Sequence, residues 1–259
     1  MSWTTLLGKT DLGQLWLVVG TVVVLALVAF GIVAALGLEK PYLQPIAILR
    51  ALLQLAILSL ILNGIISNGY WVVAFLVVMV GAATWVVRQR LGLRLGLLPL
   101  IAGIILVASA VPVVILFSLH TVEFSPRYVL AVGGIVIGNA MTVSTLVGRS
   151  IAANLVSSHD EIEGWMALGA SPRKSSLRVV RVAGSTALIP STDQTRTTGI
   201  VTLPGAFVGA IFAGASPVEA AEFQLLVLAS ILLAGAICVA LMTWAFGAPA
   251  RFPVDGNLR

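Results

Sequence analysis

EIEGWMALGASPRKSSLRVVRVAG at 161–184 and ALIPSTDQTRTTGIVTLPGAFVGAIFAG at 187–214 stand almost end to end and differ in kind. The first carries too many charges to sit in lipid, yet its apolar residues are too regularly placed for a loose loop. The second is longer than the ~20 residues that span a bilayer, but it holds Asp193, Arg196 and a row of hydroxyls. A cytosolic helix running into a polar membrane helix is the arrangement expected where force applied outside a membrane opens a path through it.

The surrounding chain is strongly apolar: of 259 residues, 59% are hydrophobic and 10% charged, and mean hydropathy is +1.08. A soluble domain carries about 25% charged residues, so this chain is expected in lipid. It reads as one transmembrane domain over 1–259, with the cytosolic segment at about 157–184. The net charge of +5 is read as contact with membrane lipid and not with nucleic acid, because basic residues of membrane proteins gather on the cytoplasmic side. Cys238 stands alone and has no intrachain disulfide partner.

Apolar runs predict helices at 15–36, 46–66, 70–87, 95–119, 128–156 and 222–246, with the polar span from about Ala187 between the last two. The fold class is all-α: a polytopic integral membrane protein of about seven transmembrane helices with a cytosolic coupling helix. The first run is too long for a signal peptide and is expected as an uncleaved helix. With the N-terminus outside, Lys40, Arg50, Arg88, Arg90, Arg94, Arg149, Arg173, Lys174, Arg178, Arg181, Arg251 and Arg259 fall inside, and Lys9 and Arg127 outside. That asymmetry predicts a cell-membrane protein with a cytoplasmic C-terminus.

In the cytosolic stretch, Ile162, Trp165, Met166, Leu168 and Leu177 supply apolar surface, broken by Gly169-Ala170-Ser171-Pro172. Ser171 is expected to cap a following helix and Pro172 to occupy its first turn. The result is a knob shaped to seat in a partner's groove. Arg173, Lys174, Arg178 and Arg181 are placed against anionic headgroups, and His159-Asp160-Glu161 is a solvated or capping acidic run.

The polar span carries the chemistry. Ser191, Thr195, Thr198 and Thr202 recur at helical spacing, which places hydroxyls along one face. Asp193 and Arg196, three apart, can pair. A charge at the bilayer centre costs roughly 2.5–3.5 kcal/mol, so both are functional candidates, with snorkelling to the interface as the bland alternative. Pro204-Gly205 predicts a kink or unwinding. Gly205 and Gly209, like Gly134 and Gly138 in the fifth helix, form GxxxG pairs suited to packing or to a dimer interface. Asn139, next to Met141 on that helix, reads as a hydrogen-bonding strut.

Beyond single residues, PRYVLAVGGIVIGNAM at 126–141, ALGASPRKSSL at 167–177 and IPSTDQTRTTGIVTLPGAFVGAIFAGASPVEA at 189–220 resemble the FetB-type iron-export permeases of ABC transporters. EKP at 39–41 and the Arg50/Gln54-Leu55 pattern also fit, and the Glu163-to-Gly169 spacing matches the broader coupling-helix signature of ABC importers. The resemblance implies a homodimer that recruits an ABC ATPase, with ATP and Mg on that partner and no cofactor on this chain. It implies export, of metal ions such as iron. Glu163, Trp165, Leu168, Gly169, Ala170, Ser171, Pro172 and Arg173 would form the coupling surface. Asn139, Met141, Ser191, Asp193, Gln194, Thr195, Arg196, Thr198 and Thr202 would line the path, between helices packed or hinged at Gly134, Gly138, Pro204, Gly205 and Gly209. The chain departs from the family pattern at Asp193, Thr195 and Arg196, where Asn, Met and Lys are usual, and at Ala206-Phe207, where methionines often stand. Soft thioether donors are thereby lost.

No GxxxxGK[ST] loop occurs, so nucleotide phosphates have no cradle of that kind here. There is no nucleophile–base constellation and no Cys/His spacing for zinc, so no catalytic residue is assigned and the chain is read as no enzyme. The competing class is a stand-alone secondary transporter or channel gated by Asp193 and Arg196. It predicts an inverted repeat, and none is visible.

Overall fold

The computed structural model describes residues 12–248. Lys9, Arg251 and Arg259, whose charges bear on the expected orientation, lie outside them. The chain divides into two compact units, 1–64 and 65–259.

In the first unit, α1 (Leu12–Ala35) and α2 (Leu43–Ile66) are predominantly apolar and largely exposed. Neither has a continuous polar stripe, as suits membrane-spanning helices, although α2 also carries Gln44, Arg50 and Gln54.

The second unit begins with α3 (Gly69–Leu91), started by Asn68, whose side chain accepts the Tyr70 N–H, and stopped by Gly92 at φ +64°. A 3₁₀ turn (Leu95–Leu97) leads into α4 (Leu98–Ser118), and α5 follows at Pro126–Ser157. After it come α6 (His159–Ala167), the single turn α7 (Pro172–Ser175), α8 (Leu177–Thr197), α9 (Gly205–Phe212) and α10 (Pro217–Phe246). No strand occurs among the described residues; Thr198 and Thr202 form an isolated bridge.

At 32 residues and 1.5 Å per residue, α5 is about 48 Å long, more than a ~30 Å hydrocarbon core. It is the axis of the unit and packs on α3, α4, α8 and α10. Ile151, Val147 and Val143 of α5, Ile101 and Ile105 of α4 and Met242 of α10 are fully buried in the main core. Two glycines set how closely the helices approach. A Cβ on Gly148 would lie 2.5 Å from Leu91 Cδ1, and one on Gly184 would lie 2.7 Å from Val239 Cγ1.

Among the described residues, six helices are long and apolar enough to cross a membrane: α1, α2, the 3₁₀ turn with α4, and α3, α5 and α10. The polar span differs from its expectation. It does not start near Ala187, because no breaker separates the cytosolic stretch from it; α8 runs unbroken from Leu177 through Pro190 to Thr197. It also does not continue to Gly214. The chain leaves the helix at Thr198, with Gly199 at φ +86°, and becomes helical again at Gly205. Thr198 and Thr202 therefore do not extend the hydroxyl face of Ser191 and Thr195. The unwinding expected at Pro204-Gly205 begins six positions earlier, where Gly199 admits a left-handed backbone. The last helix starts at Pro217, not at residue 222, because Ser216 and Glu219 form a capping box: the Ser216 N–H donates to Glu219 Oε2 (2.9 Å) and the Glu219 N–H to Ser216 Oγ (3.3 Å).

Candidate functional site

The charged knob is built from α6, a turn and α7. Asp160 and Glu161 occupy the first turn of α6, where carboxylates complement the helix dipole. Ile162 anchors the helix in the core, while Trp165 (53% exposed) and Leu168 (82% exposed) project outward. The turn closes as the Ala170 N–H reaches back to Trp165 O (3.0 Å) and the Gly169 N–H to Met166 O (2.9 Å), with Gly169 at φ +91°. A side chain at 169 would strain this turn. Glu163 is exposed and lies 3.4 Å from His159 Nε2.

Two expectations for this segment change. Ser171 does not cap α7 through its hydroxyl; its carbonyl instead accepts the Lys174 N–H (2.9 Å), the Ser175 N–H (3.0 Å) and Ser175 Oγ (3.1 Å). Two of the four cations placed against headgroups are engaged within the chain. Arg173 donates to Trp244 O (2.7 Å) and stacks over the Trp244 ring at 5.9 Å, a cation at the C-terminal end of α10. Arg178 forms a bidentate pair with Glu161, its Nε 3.0 Å from Oε1 and its second donor on Oε2. The guanidinium holds Glu161 below the usual carboxylate range, and the carboxylate raises Arg178. Ser176 Oγ donates to Gly247 O, beside Trp244. None of these ties is marked in the sequence, because each joins positions 17 or 71 residues apart.

The polar stretch that follows the knob is organised by α8. Its buried face, Val180, Ala183, Gly184, Ala187 and Ser191, packs on α5 and α10. Pro190 is tolerated inside it. Asn139 is the strut that the sequence suggests: Nδ2 donates to Ile231 O (3.1 Å), and Oδ1 accepts from Ser191 Oγ (3.2 Å). One carboxamide thus joins α5, α8 and α10. Thr195 is half-buried, its hydroxyl donating to Ser191 O (2.8 Å). Met141 packs against the main core. Gln194, Asp193 and Arg196 stand on the opposite, exposed face, with Arg196 3.8 Å from Asp193.

The glycines expected to pack divide unevenly. Gly134 meets Met79 at ordinary distance, and a Cβ on Gly138, Gly205 or Gly209 would touch nothing within 4 Å. Close contacts fall instead at Gly133, Gly148, Gly184 and Gly235. The sequence reading missed these because GxxxG spacing reports a possible helix face and not which neighbour covers it. It also missed Gln224, which is 5% exposed inside the apolar α10, with an Oε1 that has no hydrogen-bond partner; a lone carboxamide in an apolar span was the available signal. Among the described residues, no group of three His, Cys, Asp or Glu is placed to hold a metal ion.

A family model described as "Uncharacterised protein family (UPF0014)" matches residues 14–248. The chain belongs to UPF0014. Similar relatives include the UPF0014 membrane protein STAR2 of Oryza sativa subsp. japonica, 33% identical over 90% of this chain and 81% of that protein. Protein ALUMINUM SENSITIVE 3 of Arabidopsis thaliana is 32% identical over 80% of this chain and 76% of its own length. The "Probable iron export permease protein FetB" of Escherichia coli (strain K12) is 32% identical over 74% of each chain. No solved structure matches the chain. The UPF0014 segment takes in both the knob and the α8–α9 region, so the multi-pass fold and both candidate regions fall inside it.

Proposed function

We propose that this UPF0014 chain is the membrane-spanning permease subunit of an ATP-driven ABC exporter. It forms a homodimer and binds one ATPase subunit per protomer. ATP and Mg sit on the ATPase, and this chain hydrolyses nothing. Family membership and the similarity to a protein named as a permease support a membrane transporter. The finer reading rests chiefly on one observation: the exposed Trp165–Leu168 apex stands on a knob braced to α8 and α10. An apolar tip fastened to two of the helices around Asn139 suits a part that is pushed. Orientation with the N-terminus outside and the C-terminus cytoplasmic puts the knob where a soluble ATPase reaches it.

The path runs along the polar face of α8, past Asp193, Gln194 and Arg196, and through the break at 198–204. That face is exposed in one protomer. Charges facing lipid are costly, so a second copy and water cover it, with Gly205 and Gly209 free for contact across the dimer axis. Metal ions such as iron are the cargo that the name of the Escherichia coli relative suggests.

The test is purification of the tagged chain from native membranes. A P-loop ATPase is expected at equal stoichiometry, and Gly169→Arg is expected to lose it while the permease remains folded. Absence of any ATPase, with transport by the chain alone in liposomes, would overturn this reading in favour of a stand-alone carrier gated at Asp193 and Arg196.

A further inference from the structure

Where α5 and α10 begin and α9 ends lies an open cavity of about 1050 Å³, at the upper end of the ~300–1,000 Å³ that small-molecule sites enclose. Its mouth is charged. Glu123 and Arg127 flank the start of α5, and Glu219 stands in the first turn of α10. Its throat is apolar. Ala131 and Ile135 follow Arg127 along one face of α5, and Phe223 follows Glu219 on α10. Ala206 and Ala210 give the wall from α9. The step from Arg127 to Ile135 rises about 12 Å. The cavity therefore runs from the ends of two membrane-spanning helices into their apolar length.

The charges at the mouth are not spent on one another. None of the ion pairs among the described residues includes Glu123, Arg127 or Glu219. Glu219 is held in place by the Ser216 N–H, which donates to its Oε2 (2.9 Å). Just inside, the Tyr128 and Phe223 rings meet at 5.5 Å and join α5 to α10. One guanidinium and two carboxylates over an apolar throat match a ligand that carries both signs at one end and a tail at the other.

We infer that this cavity binds an ethanolamine phospholipid, with its phosphate on Arg127, its ammonium at Glu123 and Glu219, and one acyl chain along the alanine wall of α9. A guanidinium takes phosphate bidentately, and a primary ammonium offers three donors to carboxylates. The Tyr128 ring adds a face that attracts a cation. Arg127 is the one Lys or Arg among the lining residues, so a lipid with phosphate alone meets a mouth of net negative charge. A free headgroup or a bare ion leaves the throat unfilled. The inference does not depend on an ATPase. Binding is read on the chain alone, so failure to co-purify an ATPase and failure to bind this lipid are separate results.

The experiment melts the purified full-length chain in a maltoside detergent with added lysophosphatidylethanolamine, lysophosphatidylglycerol of the same chain length, or free phosphoethanolamine. The ethanolamine lysolipid is expected to raise Tm by roughly 5 °C or more at a hundredfold excess over half-saturation. The glycerol lysolipid should need at least tenfold more, and free phosphoethanolamine should leave Tm unchanged at the same concentration. Glu123→Gln combined with Glu219→Gln keeps the cap at α10, since Gln also serves there, and should close the gap between the two lysolipids. Ala210→Leu fills the throat and should weaken both at least tenfold. Should Ala210→Leu not fold, the Gln variant, made at exposed side chains, still decides. Equal response of the parent to both lysolipids would overturn the site and mark unselective lipid contact, or a helix of this or another copy seated there. An undiminished headgroup preference in the Gln variant would also overturn it. So would a response to free phosphoethanolamine equal to that of the lysolipid, which would mark a site for a soluble zwitterion.

Discussion

The knob and the broken segment at 198–212 are joined by one helix, α8, yet they are held in opposite ways. The knob is fastened from several sides: Glu161 grips Arg178, Arg173 reaches the end of α10, and Ser176 bonds Gly247. Gly184 then seats α8 against Val239. At the far end, Gly199 turns the chain out of the helix, and Ile200, Val201 and Leu203 stand exposed. A Cβ added at Gly205 or Gly209 would meet nothing within 4 Å, and Gln224 keeps an unpaired oxygen. Under the proposed function, a displacement of the knob would travel along α8 to the Asn139 junction. The proposal thus makes the tied end a lever and the broken end a gate.

Paired glycine substitutions test this contrast most strongly. Gly184→Leu should overpack the α8–α10 contact and lower stability by about 1–3 kcal/mol or more. Gly209→Leu should leave the melting of the solubilised protomer within about 0.5 kcal/mol, as surface changes do. Equal losses at the two positions would erase the distinction. A smaller effect is expected at the junction. Asn139→Leu removes two side-chain hydrogen bonds, each worth about 0.6 kcal/mol on average between membrane helices. It should increase hydrogen exchange in α8 beyond Ser191 more than in α6; uniform exchange would show that the junction does not separate the two regions.

The smallest effect concerns acid. The hydrogen bonds from Arg178 hold Glu161 below the ordinary carboxylate range, so the pair contributes fully at and above that range and is lost as pH falls through the lower folded value. Protection of α6 amides, corrected for intrinsic exchange, should therefore fall as acid titrates Glu161 below the ordinary carboxylate range, and should also fall with salt, which screens exposed pairs. Glu161→Gln should abolish both trends. A pH-independent α6 would show that the other ties suffice to hold the knob.

Much of this architecture is legible in the sequence, for reasons that are local. Apolar length places the helices, since a backbone in lipid must satisfy its own hydrogen bonds. Gly169-Ala170-Ser171-Pro172 punctuates the knob where it was expected, and Asn139 is a strut. Thr198 and Thr202 are the instructive failure. Their spacing fits a helix, but Gly199 and Pro204 sit between and beside them, and periodicity weighs side chains without weighing backbone breaks.

What the sequence alone determined is composition-driven: an all-α, multi-pass membrane chain with a charged knob and one polar helix, because hydropathy and turn chemistry act within a few residues. What tertiary structure decided is which groups find partners. Arg173 meets the end of α10, Gly184 and Gly148 receive neighbouring side chains, and Gln224 is left unpaired. Those outcomes depend on residues tens of positions away, brought together by helix packing.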